Sequence, residues 1–320
     1  MRALELQALD GPDGFALVDR PPPDDEHRVT IDVRAAGVSF PDLLMSRGRY
    51  QLRPELPAVL GSEVAGTVRA APPGHPLRPG ARVWATMELG GFAEVAAAPP
   101  DQVFPLPEAL GFEEGASLGV NYLTALFGLR RRGALREGET VVVLGAAGGL
   151  GTATIGIAKA SRARVIAVVS IDGKVATARD AGAGEVVVGE GWRDEVLALT
   201  GGRGAELVAD VVGGEHTLQA VRTTAPEGRV LVLGFTAGAI PSIATNRLLL
   251  RNVSLVGVGL GALAATVPEL LRETAAELGG LIDAGLRPVV GATVPLERGA
   301  DAVRRLEQRT AQGKIVLTVA

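Results

Sequence analysis

One stretch constrains this chain more than any other: Val141-Val-Val-Leu-Gly145-Ala-Ala-Gly148-Gly149-Leu-Gly151. The apolar run Thr140 to Leu144 before it reads as a strand buried on both faces, as a parallel strand inside a sheet must be. Gly149 to Ala160 reads as helix. The spacing is G-x-x-G-x-x-G, a relative of G-x-G-x-x-G, and each glycine has a task. Gly145 allows the tight turn out of the strand. Gly148 lets backbone approach a pyrophosphate, and Gly151 lets the helix pack close to the sheet. The helix N-terminus offers free N–H groups and the positive end of its dipole. Gly145, Ala147, Gly148, Gly149, Leu150 and Gly151 are therefore expected to hold a dinucleotide. A glycine triplet alone could be an ordinary strand-to-helix turn. Its place in the first βα turn of a βαβ unit is what gives it meaning.

The surrounding chain has three textures. Between residues 119 and 256 strands alternate with helices: Arg164 to Val169, a helix Lys174 to Ala181, then Val186 to Val188, Leu207 to Val212 and Val230 to Leu233. That order implies a parallel, doubly wound Rossmann sheet with right-handed crossovers. Val212, Gly234 and Phe235 lie at strand ends, where ligands of such sheets sit. Phe235 either lines a nicotinamide pocket or belongs to the core. Residues 1–118 hold short apolar runs broken by Pro and Gly, with strands expected at Val29 to Arg34, Gly61 to Val68 and Ala81 to Ala85. This is the pattern of a small β domain or barrel. After residue 257 come a helix, Pro268 to Ala284, a strand, Val289 to Thr293, a helix, Leu296 to Gln308, and a strand, Lys314 to Val319. At 100–200 residues per domain, about two domains are expected from 320 residues.

The second strand bears on which dinucleotide is bound. An NAD site places an Asp or Glu about 20 residues after the glycine turn, on the ribose 2′-hydroxyl. Here the strand runs out into Val169-Ser170-Ile171-Asp172-Gly173-Lys174. Neutral Ser170 holds the terminal position and Lys174 follows one turn later. A hydroxyl and an ammonium suit a 2′-phosphate, so NADPH is favoured over NADH. Asp172 is expected to cap the helix starting near Gly173.

Composition removes other classes of function. There is no cysteine, which excludes disulfides and thiolate zinc sites. His27, His75 and His216 are too scattered to form a ligand pattern, so no protein-built metal site is expected. Net charge is −4 without a basic block, which argues against nucleic-acid binding and a polybasic membrane patch. The N-terminus turns charged before an apolar segment develops, and the longest uncharged run is shorter than the ~20 residues of a bilayer span. A soluble, cytoplasmic protein is expected.

Several short motifs stand in order along nearly the whole chain: Ala35-Ala-Gly-Val-Ser-Phe-Pro-Asp42, Arg47-Gly-Arg-Tyr50, Gly61-Ser-Glu-Val-Ala-Gly66, Gly90-Gly-Phe-Ala-Glu94, Tyr122-Leu-Thr-Ala125, Gly145 to Gly151, Asp210-Val-Val-Gly-Gly214 and Gly313-Lys-Ile-Val-Leu317. In these the chain resembles the medium-chain dehydrogenase/reductase superfamily, and within it the zinc-free quinone oxidoreductases. The resemblance implies a GroES-like catalytic domain from residues 1–118 and 257–320, with a Rossmann domain, residues 119–256, inserted between them. It implies an active site in the cleft, and a homodimer or homotetramer in which Arg251 to Leu260 supplies a strand that pairs across the dimer. Zinc-dependent relatives carry Cys near Ser39 and His within Gly-His-Glu, where this chain has Gly61-Ser62-Glu63. Without a Lewis acid, hydride transfer suits an acceptor that spreads its own charge, such as a quinone or conjugated carbonyl.

By the same resemblance Tyr50 and Ser39 line the substrate site. Tyr50 either hydrogen-bonds or protonates the developing oxyanion, or anchors a loop, and Ser39 stands where the group usually has Asn. Asp42 is expected to be structural. Thr124, with Asn121 one turn earlier, is expected near the nicotinamide, and Arg309 on the 2′-phosphate. A Tyr often found near that phosphate is replaced by Gly189. Three functions follow: an NADPH-dependent quinone reductase, an enone or enoyl-thioester reductase, or an NADPH-binding protein without significant turnover.

Overall fold

Thr140–Leu144 becomes an inner strand of a six-stranded, wholly parallel sheet in the computed structural model, which describes residues 1–320. Val141, Val142 and Val143 are fully buried, as a strand covered on both faces requires. The strands lie in the order Glu185–Val188, Arg164–Val169, Thr140–Leu144, Ala205–Asp210, Thr224–Val232, Ser254–Gly257. In chain order this is 3-2-1-4-5-6, the Rossmann arrangement. Its direction reverses between Thr140–Leu144 and Ala205–Asp210, and a crevice opens at such a switch point. The expected bounds of the first strand, its helix Gly149–Ala160 and the second strand match the observed ones.

The unit that contains this sheet runs from Tyr122 to Leu286, well beyond the expected end at residue 256. The cause is the helix Leu270–Asp283. It buries Leu270, Ala275, Leu278 and Ile282 and packs on Leu123–Leu126. Arg131 and Arg130 pair with its Glu273 and Glu277, each at 3.8 Å. Its pattern read correctly as helix, but nothing in the pattern said which unit its apolar face would join.

The other unit comprises residues 1–121 and 287–320. Its main sheet has seven strands, built on the long strand Val29–Val38. That strand pairs antiparallel with Glu63–Ala70 on one side and the tail strand Lys314–Thr318 on the other. The antiparallel register sets Val38 opposite Ile315 and Ala36 opposite Val64. The end of one strand therefore meets the beginnings of two others, which gathers Ser39, Glu63 and Lys314 in one place. Beneath them lies an apolar core that includes Leu4, Ile31, Val64, Val83 and Leu317. No helix in either unit is long and apolar enough to cross a membrane.

Candidate functional site

In the Rossmann unit the chain leaves Leu144 through Gly145, whose φ of +67° is a left-handed value that glycine tolerates best. Gly151 is forced by proximity: a Cβ there would lie 2.3 Å from the Gly145 carbonyl oxygen and 2.7 Å from the Ala146 backbone. Gly148 differs. Its added Cβ would meet only the Gly145 carbonyl oxygen, at 3.6 Å, so the protein itself leaves room there. Gly148 caps the helix Gly149–Ala160, and Thr152 N–H bonds back to its carbonyl at 2.8 Å. The amides of Gly149, Leu150 and Gly151 precede the first intrahelical bond and have no partner inside the helix. Ala147, within the turn, is 3% exposed. A cradle with spare room at Gly148, lined by free N–H groups, fits a pyrophosphate.

Val212 stands across the switch point, its side chain 3.2 Å from where a Cβ on Gly145 would be. The loop that carries it is fixed by Asp210, which is 1% exposed. One Asp210 carboxylate oxygen accepts the N–H groups of Val212 and Gly213, both at 2.9 Å, and the other accepts the Thr217 hydroxyl at 2.6 Å. Gly234 and Phe235 follow the next strand over, with Phe235 packed on Gly213. The motif containing Asp210 was visible in the sequence, but the work of its side chain was not.

The second strand ends at Val169, and Ser170 is exposed just beyond. Lys174 Nζ donates to Ser170 Oγ at 3.4 Å, so hydroxyl and ammonium stand side by side. Asp172 does not cap the helix. Ile171 occupies the cap position, and Asp172 is an exposed first residue of the turn Asp172–Lys174. The chain enters the turn extended at Ile171, φ −148° and ψ 154°, one residue earlier than a cap at Asp172 requires.

In the other unit, Ser39 is 4% exposed and Glu63 and Lys314 are 1% and 2% exposed. Ser39 Oγ donates to Glu63 Oε1 at 3.0 Å and accepts from Lys314 Nζ at 2.5 Å. Lys314 Nζ also donates to Glu63 Oε1. The Ser39 hydroxyl, expected beside the substrate, is thus spent inside the protein. Lys314 and Glu63 are the residues that sequence reasoning missed. The one signal was a lysine opening an otherwise apolar strand, in a chain with only three lysines.

Asp42 sits in the first turn of the helix Phe40–Ser46, wholly buried. Its carboxylate accepts the N–H of Ser39 at 2.7 Å and of Gly61 at 3.3 Å. This is the structural role expected of it. Burial pushes its carboxyl up to about 7, against the pull of the Ser39 N–H and the Lys314 ammonium. Tyr50 is half-buried against the core. Burial, then the nearby Asp42 charge, pushes its phenol above the ordinary value, which keeps it a donor. Asn121 is 8% exposed in the turn Leu118–Tyr122, and Thr124 lies in the helix Leu123–Leu126. Arg309 is exposed past the helix Gly299–Glu307, with φ +58°. No three of the His, Cys, Asp and Glu side chains are grouped as a metal would need.

The chain matches two family profiles, one described as an alcohol dehydrogenase GroES-like domain over residues 25–108 and one as a zinc-binding dehydrogenase over residues 149–276. It is 34% identical to quinone oxidoreductase-like protein 2 of Bos taurus, over 93% of this chain and 87% of that protein. A probable oxidoreductase from Mycobacterium abscessus superposes with a TM-score of 0.92 at 44% identity, covering 100% of this chain and 99% of that one. The quinone oxidoreductase of Thermus thermophilus, solved also in complex with NADPH, gives a TM-score of 0.85 at 35% identity, covering 100% of both chains. With the Rossmann strand order, the GroES-like sheet and these likenesses in agreement, the chain belongs to the quinone oxidoreductase group of the medium-chain dehydrogenase/reductase superfamily, a group of oxidoreductases.

Proposed function

We propose that this protein is a zinc-independent, NADPH-dependent reductase of quinones. The observation that carries the cofactor choice is Lys174 Nζ on Ser170 Oγ, with no carboxylate at the strand end. A 2′-phosphate brings about two negative charges, which an ammonium attracts and a carboxylate at that position would repel. Gly148, Gly149, Leu150 and Gly151 hold the pyrophosphate, and Val212, Gly234 and Phe235 line the strand ends beside it. Thr124 and Asn121 serve the nicotinamide end, and Arg309 is assigned to the 2′-phosphate by the family resemblance. Bound NADPH supplies a hydride. Tyr50 donates a hydrogen bond, and then a proton, to the oxygen on which charge develops. A quinone suits this site because it delocalises that charge itself, and the chain offers no grouped metal ligands to do so.

The test of the cofactor assignment is binding. NADPH should bind the wild type at least about tenfold more tightly than NADH, a difference near 1.4 kcal/mol. Ser170→Asp should reverse the order, and Lys174→Ala should reduce it. Equal affinity for the two in the wild type would contradict the assignment.

The chain also self-associates in this reading. The edge strand Ser254–Gly257 has only one neighbour in its sheet. Close by in sequence, Leu249 and Leu250 are 74% and 78% exposed. An open strand edge beside exposed apolar side chains favours pairing with a second copy.

A further inference from the structure

Both carboxylate oxygens of Glu63 are engaged, and they face different elements. Oε1 takes the Ser39 hydroxyl and the Lys314 ammonium. Oε2 accepts the N–H of Val120 at 2.8 Å. Val120 belongs to the turn Leu118–Tyr122, which is wound as a π-helix. The first amides of a helix have no carbonyl partner within it. Here the partner comes from a strand 57 residues earlier. The approach is close: a Cβ on Gly119 would stand 3.1 Å from Glu63 Cβ and 3.2 Å from Oε2. A buried carboxylate is costly unless paired, and the buried Lys314 pairs it. The next residue after Val120 is Asn121.

We propose that Glu63 is a positioning residue for the nicotinamide end of the cofactor site. Held by Lys314 and Ser39, it fixes the Val120 amide, and with it the backbone that carries Asn121. The proposal rests on the reading of Asn121 as a cofactor-binding residue.

Two double variants separate these roles, because both remove the buried charges together. Lys314→Met with Glu63→Gln keeps an amide oxygen in reach of Val120. Lys314→Met with Glu63→Leu removes it. The proposal expects hydrogen exchange in residues 118–122 to rise at least about tenfold in the leucine variant, as an unpaired amide opens, while the rest of the protein keeps its protection. The fluorescence of bound NADPH, which reports the surroundings of its nicotinamide, should move toward that of free NADPH. The Kd for NADPH should stay within about threefold, because the phosphate contacts lie on the glycine turn. NADPH oxidation by 1,4-benzoquinone should slow by about 10- to 100-fold, as misplacement of a reacting group does. The glutamine variant should recover most of each property. If the two variants behave alike, or the leucine variant alone loses its native near-ultraviolet dichroism, Glu63 is a folding residue and the proposal fails. Asn121→Ala is measured beside them by the same fluorescence. No change there removes the cofactor reading of Asn121. A change there with none in the leucine variant removes the positioning role alone.

Discussion

Asp42 offers no surface to water, and its carboxyl is pushed from 3.8 to about 7 chiefly by that burial. Between those two pH values the folded protein binds a proton at Asp42 that the unfolded chain does not. Stability from this group is therefore greatest at low pH and falls as pH rises toward 7. At 1.36 kcal/mol per pH unit the loss is about 4 kcal/mol at most. Asp42→Asn keeps an acceptor for Ser39 N–H without the charge. Urea unfolding at pH 5 and pH 8 should show the variant nearly flat across a range where the wild type loses stability; a variant with an unchanged slope would place the titration elsewhere. Tyr50 makes the complementary prediction. Its raised phenol stays protonated through neutral pH, so Tyr50→Phe should lower kcat for quinone reduction by about 100-fold, the contribution expected of one general acid. An unchanged kcat would make it a loop anchor. At this scale the sequence was only partly legible. Tyr50 and Asp42 stood in recognisable motifs, but the hydroxyl of Ser39 could not be aimed from them. Its direction depends on Lys314, 275 residues away and brought beside it only by strand pairing.

Among elements, the glycine turn was the most legible. A buried strand, a left-handed turn and a helix N-terminus each follow from local residue types, so motif and fold coincide over residues 140–160. Its glycines fail differently on substitution. Gly148→Ala meets no protein atom closer than 3.6 Å and should keep a Tm within a few degrees of the wild type. The same methyl group stands where a pyrophosphate approaches, so NADPH affinity should fall by about tenfold or more. Gly151→Ala drives its methyl onto the Gly145 and Ala146 backbone and should lower both Tm and affinity. Thermal unfolding with and without NADPH distinguishes the two; equal Tm losses would show that Gly148 serves packing instead. The helix Leu270–Asp283 was legible as a helix but not in its allegiance, because its apolar stripe does not say which surface it will cover.

For the whole molecule, strand alternation after residue 119 announced the parallel sheet and the Pro- and Gly-broken runs before it a β-rich fold, while the helix Leu270–Asp283 lies in the unit Tyr122–Leu286. The open edge at Ser254–Gly257 predicts a dimer by sedimentation or light scattering. Replacing Leu249 and Leu250 by Glu should shift it toward monomer, since charge on an exposed apolar edge opposes pairing; a wild type that is monomeric at micromolar concentration would contradict that reading. The reaction proposed for this chain is transfer of hydride from NADPH to a quinone. Stopped-flow oxidation of NADPH by a panel of benzoquinones and naphthoquinones, with enals and NADH as comparisons, tests it most directly. Saturable oxidation of NADPH by quinones, faster than with NADH and faster than with any enal, is the expected result. Bound NADPH that no quinone oxidises faster than it does without enzyme would contradict the account.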